Sequence, residues 1–289
     1  MAVLQNEYLK AELGSLGASV DALYFKDVLV GDKGSIKGRF ANRIGGAQFE
    51  INGINYKLPA NEFGNTLHGG PLGFGKREWE EKTEKDADGN ITAVVYELIS
   101  EDGDQGFPGT MKTRVRYSLD QTALVIDYEA VCDKDTVINL TNHLYFNLNG
   151  IDETADSHDH RVYIDSDSIL ALDEELVPTG EFIDVSGTRF DFRKEADIHG
   201  SYDNCYVMKA DKNSDYKSAG PVAILTGTKS GNKMEVYTDC VGVQLYNTDT
   251  QVCLEAQSFP DSMHHENFPS VILKSGDTFT SRTVYRFMR

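Results

Sequence analysis

Basic side chains are in short supply. The chain of 289 residues carries 28 Lys and Arg against 46 Asp and Glu, a net charge of −18 with histidine neutral. Such a surface repels phosphate backbones and anionic headgroups, so neither a nucleic-acid nor a membrane partner is expected. Long apolar runs are also missing. Nothing approaches the ~18 residues that a membrane-spanning helix needs. The opening MAVLQNEYLK has no basic n-region or apolar h-region, which points to a cytoplasmic protein. The four cysteines, Cys132, Cys205, Cys240 and Cys253, include no CxxC pair, and free thiols are expected. There is no Gly/Ser- or Pro-rich linker and no short-period repeat. The glycines of KGSIKGRF and HGGPLGFG do not form a phosphate-loop pattern. No amphipathic helix exceeds a few turns.

Alternating apolar and polar residues fill most of the chain instead. In AQFEINGINYKL (47–58) two alternating runs flank Asn52-Gly53, a pair suited to the positive φ angles of a type I′ turn. Period-two runs recur at 113–119, 123–131, 137–148, 160–165, 221–227, 233–239, 242–247, 252–259 and 282–287. The connections are too short for βαβ units. Three polar stretches, 81–90, 150–159 and 209–218, read as solvated loops rather than boundaries. The expectation is an all-β fold, a single antiparallel domain spanning 1–289 with sheets packed face to face.

Within TNHLYFNLNG (141–150) and the residues before it, Asn139, Thr141, His143, Tyr145 and Asn147 share one face of a strand. Ile138, Leu140, Leu144, Phe146 and Leu148 take mostly the other. Cys253, Glu255 and Gln257 in VCLEAQSF, and Gln244 and Tyr246 in GVQLYN, repeat the device. A solvated sheet surface would also be polar on one side. Uncharged amides, an imidazole, phenols and one carboxylate suit a sugar better than water alone, and tyrosine adds apolar faces for ring C–H groups. Among the remaining candidates, His158 and His160 form an HxH without a third cluster of ligands, so no metal site is expected. His264 and His265 read as loop residues, and Cys253 as an ordinary buried thiol.

Several of these segments together resemble the aldose 1-epimerase, or galactose mutarotase, family. They are GRFANRIGGAQFEINGINYKL (38–58), TLHGGPLGFGKREW (66–79), TNHLYFNLNG, LDEELVPTGEF (172–182), YDNCYVM (202–208), CLEAQSFPDS (253–262) and NFPSVIL (267–273), in the family's order. The resemblance implies a β-supersandwich with the site in a concave groove and no metal or organic cofactor. It implies that His143 is the general acid on the sugar ring oxygen and Glu255 the general base on the anomeric hydroxyl. Asn42, Arg43, His68, Tyr145, Asp203 and Gln244 would hold the aldose. Mutarotation suits such a pair, because one group must protonate the ring oxygen while another takes the C1 hydroxyl proton. Arg43 would help to keep Glu255 ionised. Two departures stand out: Gln244 and Glu255 are eleven residues apart, where many members carry an insertion, and Asn204-Cys205 follow Asp203. A more open groove rim is expected. An epimerase for a phosphorylated hexose would need Lys or Arg beyond Arg43, and a non-catalytic carbohydrate-binding protein would need neither His143 nor Glu255. The preferred sugar, and whether the protein is a monomer or homodimer, stay open.

Overall fold

The computed structural model describes residues 1–209 and 214–289. Two large antiparallel sheets face each other. The first has ten strands, in the order Ala2–Gln5, Leu9–Gly14, Ser19–Phe25, Val28–Gly34, Tyr145–Phe146, Val252–Gln257, Gly242–Asn247, Asp203–Val207, Ser168–Leu172 and Pro178–Asp184. The second has nine: Glu80–Lys85, Ile91–Ser100, Met111–Asp120, Ala123–Cys132, Thr278–Met288, Lys233–Thr238, Ala223–Gly227, His160–Ile164 and Ala196–Asp197. Among the described residues, four two-stranded ribbons accompany these sheets. One is the hairpin Gln48–Ile51 with Ile54–Lys57, turned by Asn52 (φ 54°) and Gly53 (φ 77°) as the Asn-Gly pair predicts.

The space between the sheets is filled by the apolar side of each alternation. Phe146 of the first sheet packs on Tyr285 of the second at 5.0 Å between ring centroids, and Phe25 on Phe287 at 5.6 Å. Each such ring removed from water contributes on the order of 2–3 kcal/mol. The polar tips of buried tyrosines are also spent across the gap. Tyr285 donates to the Leu254 carbonyl (3.0 Å) and Tyr117 to the Ala18 carbonyl (2.6 Å). The same Tyr117 hydroxyl accepts from the Asn142 amide at 3.1 Å. This core takes in residues from Ala2 to Phe287. Among the described residues, no helix is long and apolar enough to cross a membrane.

Two expectations need correction. The run 137–148 is not one strand: Thr136–Val137, Thr141–Asn142 and Tyr145–Phe146 pair with three different neighbourhoods. Its apolar side does face the core, but its polar side is buried as well rather than solvated. Asn139 spends its amide on the carbonyls of Ala41 and Ser258, and Asn147 on that of Thr250, so both brace crossing loops. The stretch 81–90 is likewise a loop only in part, since Glu80–Lys85 pairs with Ile91–Ser100. The polar stretch 209–218 lies partly outside the described residues, and the sequence reading passes over four strands in the first 34 residues, although Leu9, Ala11 and Leu13 alternate with polar neighbours.

Candidate active site

Sheet register brings the chemistry together. Gly242–Asn247 and Val252–Gln257 form a tight hairpin in which Gln244 lies opposite Glu255 and Tyr246 opposite Cys253. Asp203–Val207 pairs on the other side, setting Asp203 opposite Tyr246. The segment 141–146 crosses next to them and carries His143 over Glu255, with 3.6 Å between His143 Nε2 and Glu255 Oε1.

The rim comes from the ribbon whose two strands lie in GRFANRI and TLHGG. Arg43–Ile44 pairs with Thr66–Leu67. Where those strands end, Asn42 (φ 63°) and His68 (φ 53°) both take left-handed backbone, which asparagine and histidine tolerate better than most residues. They lock each other. The His68 amide donates to the Asn42 carbonyl, and the Asn42 amide donates to His68 Nδ1, each at 3.0 Å. The neighbouring Gly69 (φ 80°) has to be glycine, because a Cβ there would lie 2.0 Å from the Gly38 carbonyl oxygen.

A cavity of about 310 Å³ results, lined by Asn42, Arg43, His68, His143, Tyr145, Asp203 and Glu255 from the sequence reading, together with Lys37, Glu62, Leu67 and Tyr246. The size and the convergent polar groups fit a small-molecule site. Gln244 is the exception among the candidates. It is buried behind the wall, donating to Asp203 at 2.6 Å and accepting from Gln257 at 3.4 Å, so it supports Asp203 instead of lining the space. Tyr145 stacks on His143 at 4.8 Å between centroids, and Tyr246 meets His143 edge-on at 6.0 Å. Arg43 is held in a fork by Glu62 (2.5 and 3.1 Å) and reaches Asp203 at 3.3 Å. Glu62 and Lys37 escaped the sequence reading because neither lies in a long period-two run.

Burial dominates the electrostatics. His68 is pushed well below the usual histidine range, chiefly by desolvation and then by His143, so it is neutral. Because its Nδ1 accepts from Asn42, its proton resides on Nε2 and is available to a ligand. Desolvation, with a smaller push from Lys37, lowers His143 to about 3. Desolvation, with the nearby Asp203 charge, raises Glu255 to about 8. Both shifts favour one proton on the pair, held by Glu255. Arg43 thus helps towards ionisation, as the resemblance implied, but burial and Asp203 outweigh it. Glu255 Oε2 has no hydrogen-bond partner although it is buried, a state that costs about 1–3 kcal/mol until a donor arrives.

Cys253 is buried, as read, yet it faces the site: its sulfur lies 3.6 Å from His143 Nδ1. With the carboxyl proton on the Nε2 side, the imidazole proton is assigned to Nδ1, directed at that sulfur. His160 is structural, with Nε2 accepting from the Leu148 amide at 2.9 Å and Nδ1 donating to the Ser157 carbonyl at 3.1 Å. His264 and His265 both lean on Asp261, away from the cavity.

Comparison with known proteins identifies the family. The family model described as aldose 1-epimerase matches residues 1–286. The galactose mutarotase of Bos taurus is 34% identical, over 98% of this chain and 92% of its own length. The aldose 1-epimerase of Escherichia coli (strain K12) is 33% identical, over 88% of this chain and 80% of its own. The crystal structure of an aldose epimerase homologue from C. elegans superposes with a TM-score of 0.88 at 25% identity, covering 99% of this chain and 98% of that one. The fold is the galactose mutarotase-like β-supersandwich, and the chain belongs to the aldose 1-epimerase family, a family of isomerases.

Proposed function

We propose that the protein interconverts the α and β anomers of a free aldohexose such as galactose or glucose, with His143 and Glu255 as its acid–base pair. The observation that carries this reading is the buried, unpartnered Glu255 Oε2 beside an imidazole 3.6 Å from the other carboxyl oxygen. A hemiacetal presents a hydroxyl and a ring oxygen on one carbon, and the pair offers two sites for one shared proton.

The anomeric hydroxyl donates to Glu255 Oε2. A hydrogen bond to the charged form favours it, so binding lowers the carboxyl's proton affinity and drives its proton to His143 Nε2. Opening then moves two protons. Glu255 takes the one on the C1 oxygen, His143 gives one to the ring oxygen as the C1–O bond breaks, and an aldehyde results. The pair ends as carboxylic acid and neutral imidazole, the state that burial favours for both groups. Rotation about C1–C2 and the reverse transfers close the ring on the other face. Asn42, Arg43, His68 through its Nε2–H, Tyr145 and Asp203 hold the remaining hydroxyls, with Gln244 fixing Asp203. The reaction needs no cofactor in this scheme. The core that runs from Ala2 to Phe287 supports reading residues 1–289 as one domain.

Optical rotation of freshly dissolved α-D-galactose and α-D-glucose tests this. The protein should speed the approach to equilibrium. His143→Ala and Glu255→Gln should each lower the turnover roughly 10²- to 10⁴-fold without changing the circular dichroism spectrum. Near-wild-type rates in both variants would refute the assignment, and sugar binding without acceleration would leave a binding protein.

A further inference from the structure

Ring opening exposes a reactive aldehyde, and one wall of the cavity carries an amine. Lys37 lines the same space of about 310 Å³ as His143 and Glu255, and borders an adjoining alcove of about 150 Å³. We propose that Lys37 is a covalent carbonyl-trapping site, whose amine condenses with the open-chain aldehyde of a bound aldose to form an imine. The inference rests on the epimerase reading above, because that reaction makes the aldehyde inside the cavity.

The fold ties this amine to the reacting pair. Ile36–Lys37 pairs with Thr141–Asn142, which sets Lys37 opposite Thr141, two residues before His143. Ser35 links the two side chains. Its carbonyl accepts from the His143 amide at 3.1 Å, and its hydroxyl accepts from Lys37 Nζ at 2.8 Å. A Cβ on Gly75 would lie 3.5 Å from Nζ and 2.9 Å from that hydroxyl, so glycine leaves the amine room to turn. A cavity of this size holds one small sugar, so an aldehyde formed at Glu255 shares its walls with the lysine.

Attack on a carbonyl needs the neutral amine. Burial disfavours the ammonium form and pushes Lys37 below the ordinary lysine value, whereas Glu97, Asp102 and Asp159 hold Lys82, Lys134 and Lys229 above it. Glu255 and Cys253 would hold the ammonium only as anions, and burial favours the protonated form of both. Lys76 opposes the ammonium as well, and Arg43 is occupied by Glu62 and Asp203.

The pair left by ring opening, carboxylic acid and neutral imidazole, is the pair that condensation needs. Nζ attacks C1 as the carbonyl π bond breaks, Glu255 protonates the C1 oxygen, and His143 takes one proton from nitrogen. His143 then protonates the resulting hydroxyl and Glu255 accepts the second nitrogen proton. The C1–O bond breaks, a C=N bond forms and one water leaves. Both groups return to their starting state, no electrons are gained or lost, and hydrolysis frees the lysine.

Incubation with galactose or glucose and cyanoborohydride, which reduces imines in preference to aldehydes, fixes the adduct. Peptide mass spectrometry then measures reduced hexose at each lysine, while optical rotation of the same samples follows anomer interconversion. Lys37 should be labelled roughly tenfold faster than the exposed Lys57 and Lys112. An anhydroglucitol ring, which lacks the anomeric hydroxyl, should protect Lys37 alone. Lys37→Arg should lose the label there while Lys57 and Lys112 keep theirs. Glu255→Gln should bring Lys37 down towards their rate, since it removes both the opening and the acid for condensation. A protein that accelerates mutarotation but labels Lys37 no faster than Lys57 and Lys112 would overturn the trap and leave the epimerase standing. A fast Lys37 label unchanged in Glu255→Gln would overturn it too. No acceleration of mutarotation would overturn the epimerase reading, and with it the source of the aldehyde.

Discussion

Replacing Glu255 by glutamine should lower the turnover roughly 10²- to 10⁴-fold and shift stability in the variant's favour by an amount that grows with pH. The folded state raises the carboxyl from an ordinary 4.5 to about 8 by burying it beside Asp203. A raised carboxyl holds its proton in the folded chain after the unfolded chain has released it. Its stabilising effect is fully present below pH 4.5 and is lost as pH rises towards 8, at about 1.4 kcal/mol per pH unit. Between pH 4.5 and pH 7 the wild type should therefore lose about 3 kcal/mol that the glutamine variant, which cannot ionise there, does not lose. The new amide carries its own cost, about 1–3 kcal/mol if a donor is left unpaired, but that cost does not vary with pH. His143 titrates in both proteins, so its contribution largely cancels in the difference. Urea unfolding of both proteins at pH 4.5, 6, 7 and 8.5 measures the gap. It should widen in favour of Glu255→Gln up to about pH 8 and then level off. A gap that is flat with pH, or that narrows, would mean that Glu255 is ionised in the folded protein, and the proton placement argued above would be wrong.

The same placement makes kcat/KM for a neutral sugar nearly flat from pH 5 to 7.5, with a fall above about 8 as the shared proton is lost; a limb near 6.5 would show that His143 titrates normally. Arg43→Lys keeps the charge but loses the fork to the half-buried Glu62, and should cost about 1–3 kcal/mol in urea unfolding along with a raised KM, since Arg43 itself is buried. An unchanged midpoint and KM would refute that role. Tyr117→Phe strips a partner from both the Ala18 carbonyl and the Asn142 amide and should cost a similar amount, about 1–3 kcal/mol, with KM unaltered; a change confined to KM would place Tyr117 in the site instead.

How far the sequence reaches depends on the range of the interaction that places each residue. Period-two alternation is local, so it predicted that Gln244 and Glu255 share a face with their neighbours, and the hairpin register puts them directly opposite. Asn52-Gly53 carried its own turn. Alternation is silent about which partner a polar group finds. Asn139, Asn147 and Gln244 looked as suited to a sugar as Tyr145 did, yet each is consumed by a segment distant in the chain. Lys37 was invisible for the same reason: its position at the cavity depends on ribbons and glycines that no periodicity describes. The proton placement of the pair was also out of reach. It is set by burial, which depends on both sheets, and not by the charge of Arg43 read alone.

The reciprocal hydrogen bonds between Asn42 and His68 carry a consequence for how such a protein can diversify. Glu255 grows from Val252–Gln257 inside the ten-stranded sheet, His143 from the short link between Thr141–Asn142 and Tyr145–Phe146, and the Leu254 carbonyl next to Glu255 is held from behind by Tyr285 of the other sheet. The proposed sugar contacts of the rim sit largely on one short ribbon, whose two strands are fastened to each other by backbone and imidazole. Substitutions around that clasp, at positions such as Lys37, Glu62 and Leu67, can reshape what the groove admits while the machinery beneath stays in register. A library confined to those rim positions is the natural starting point for redirecting the enzyme to other sugars.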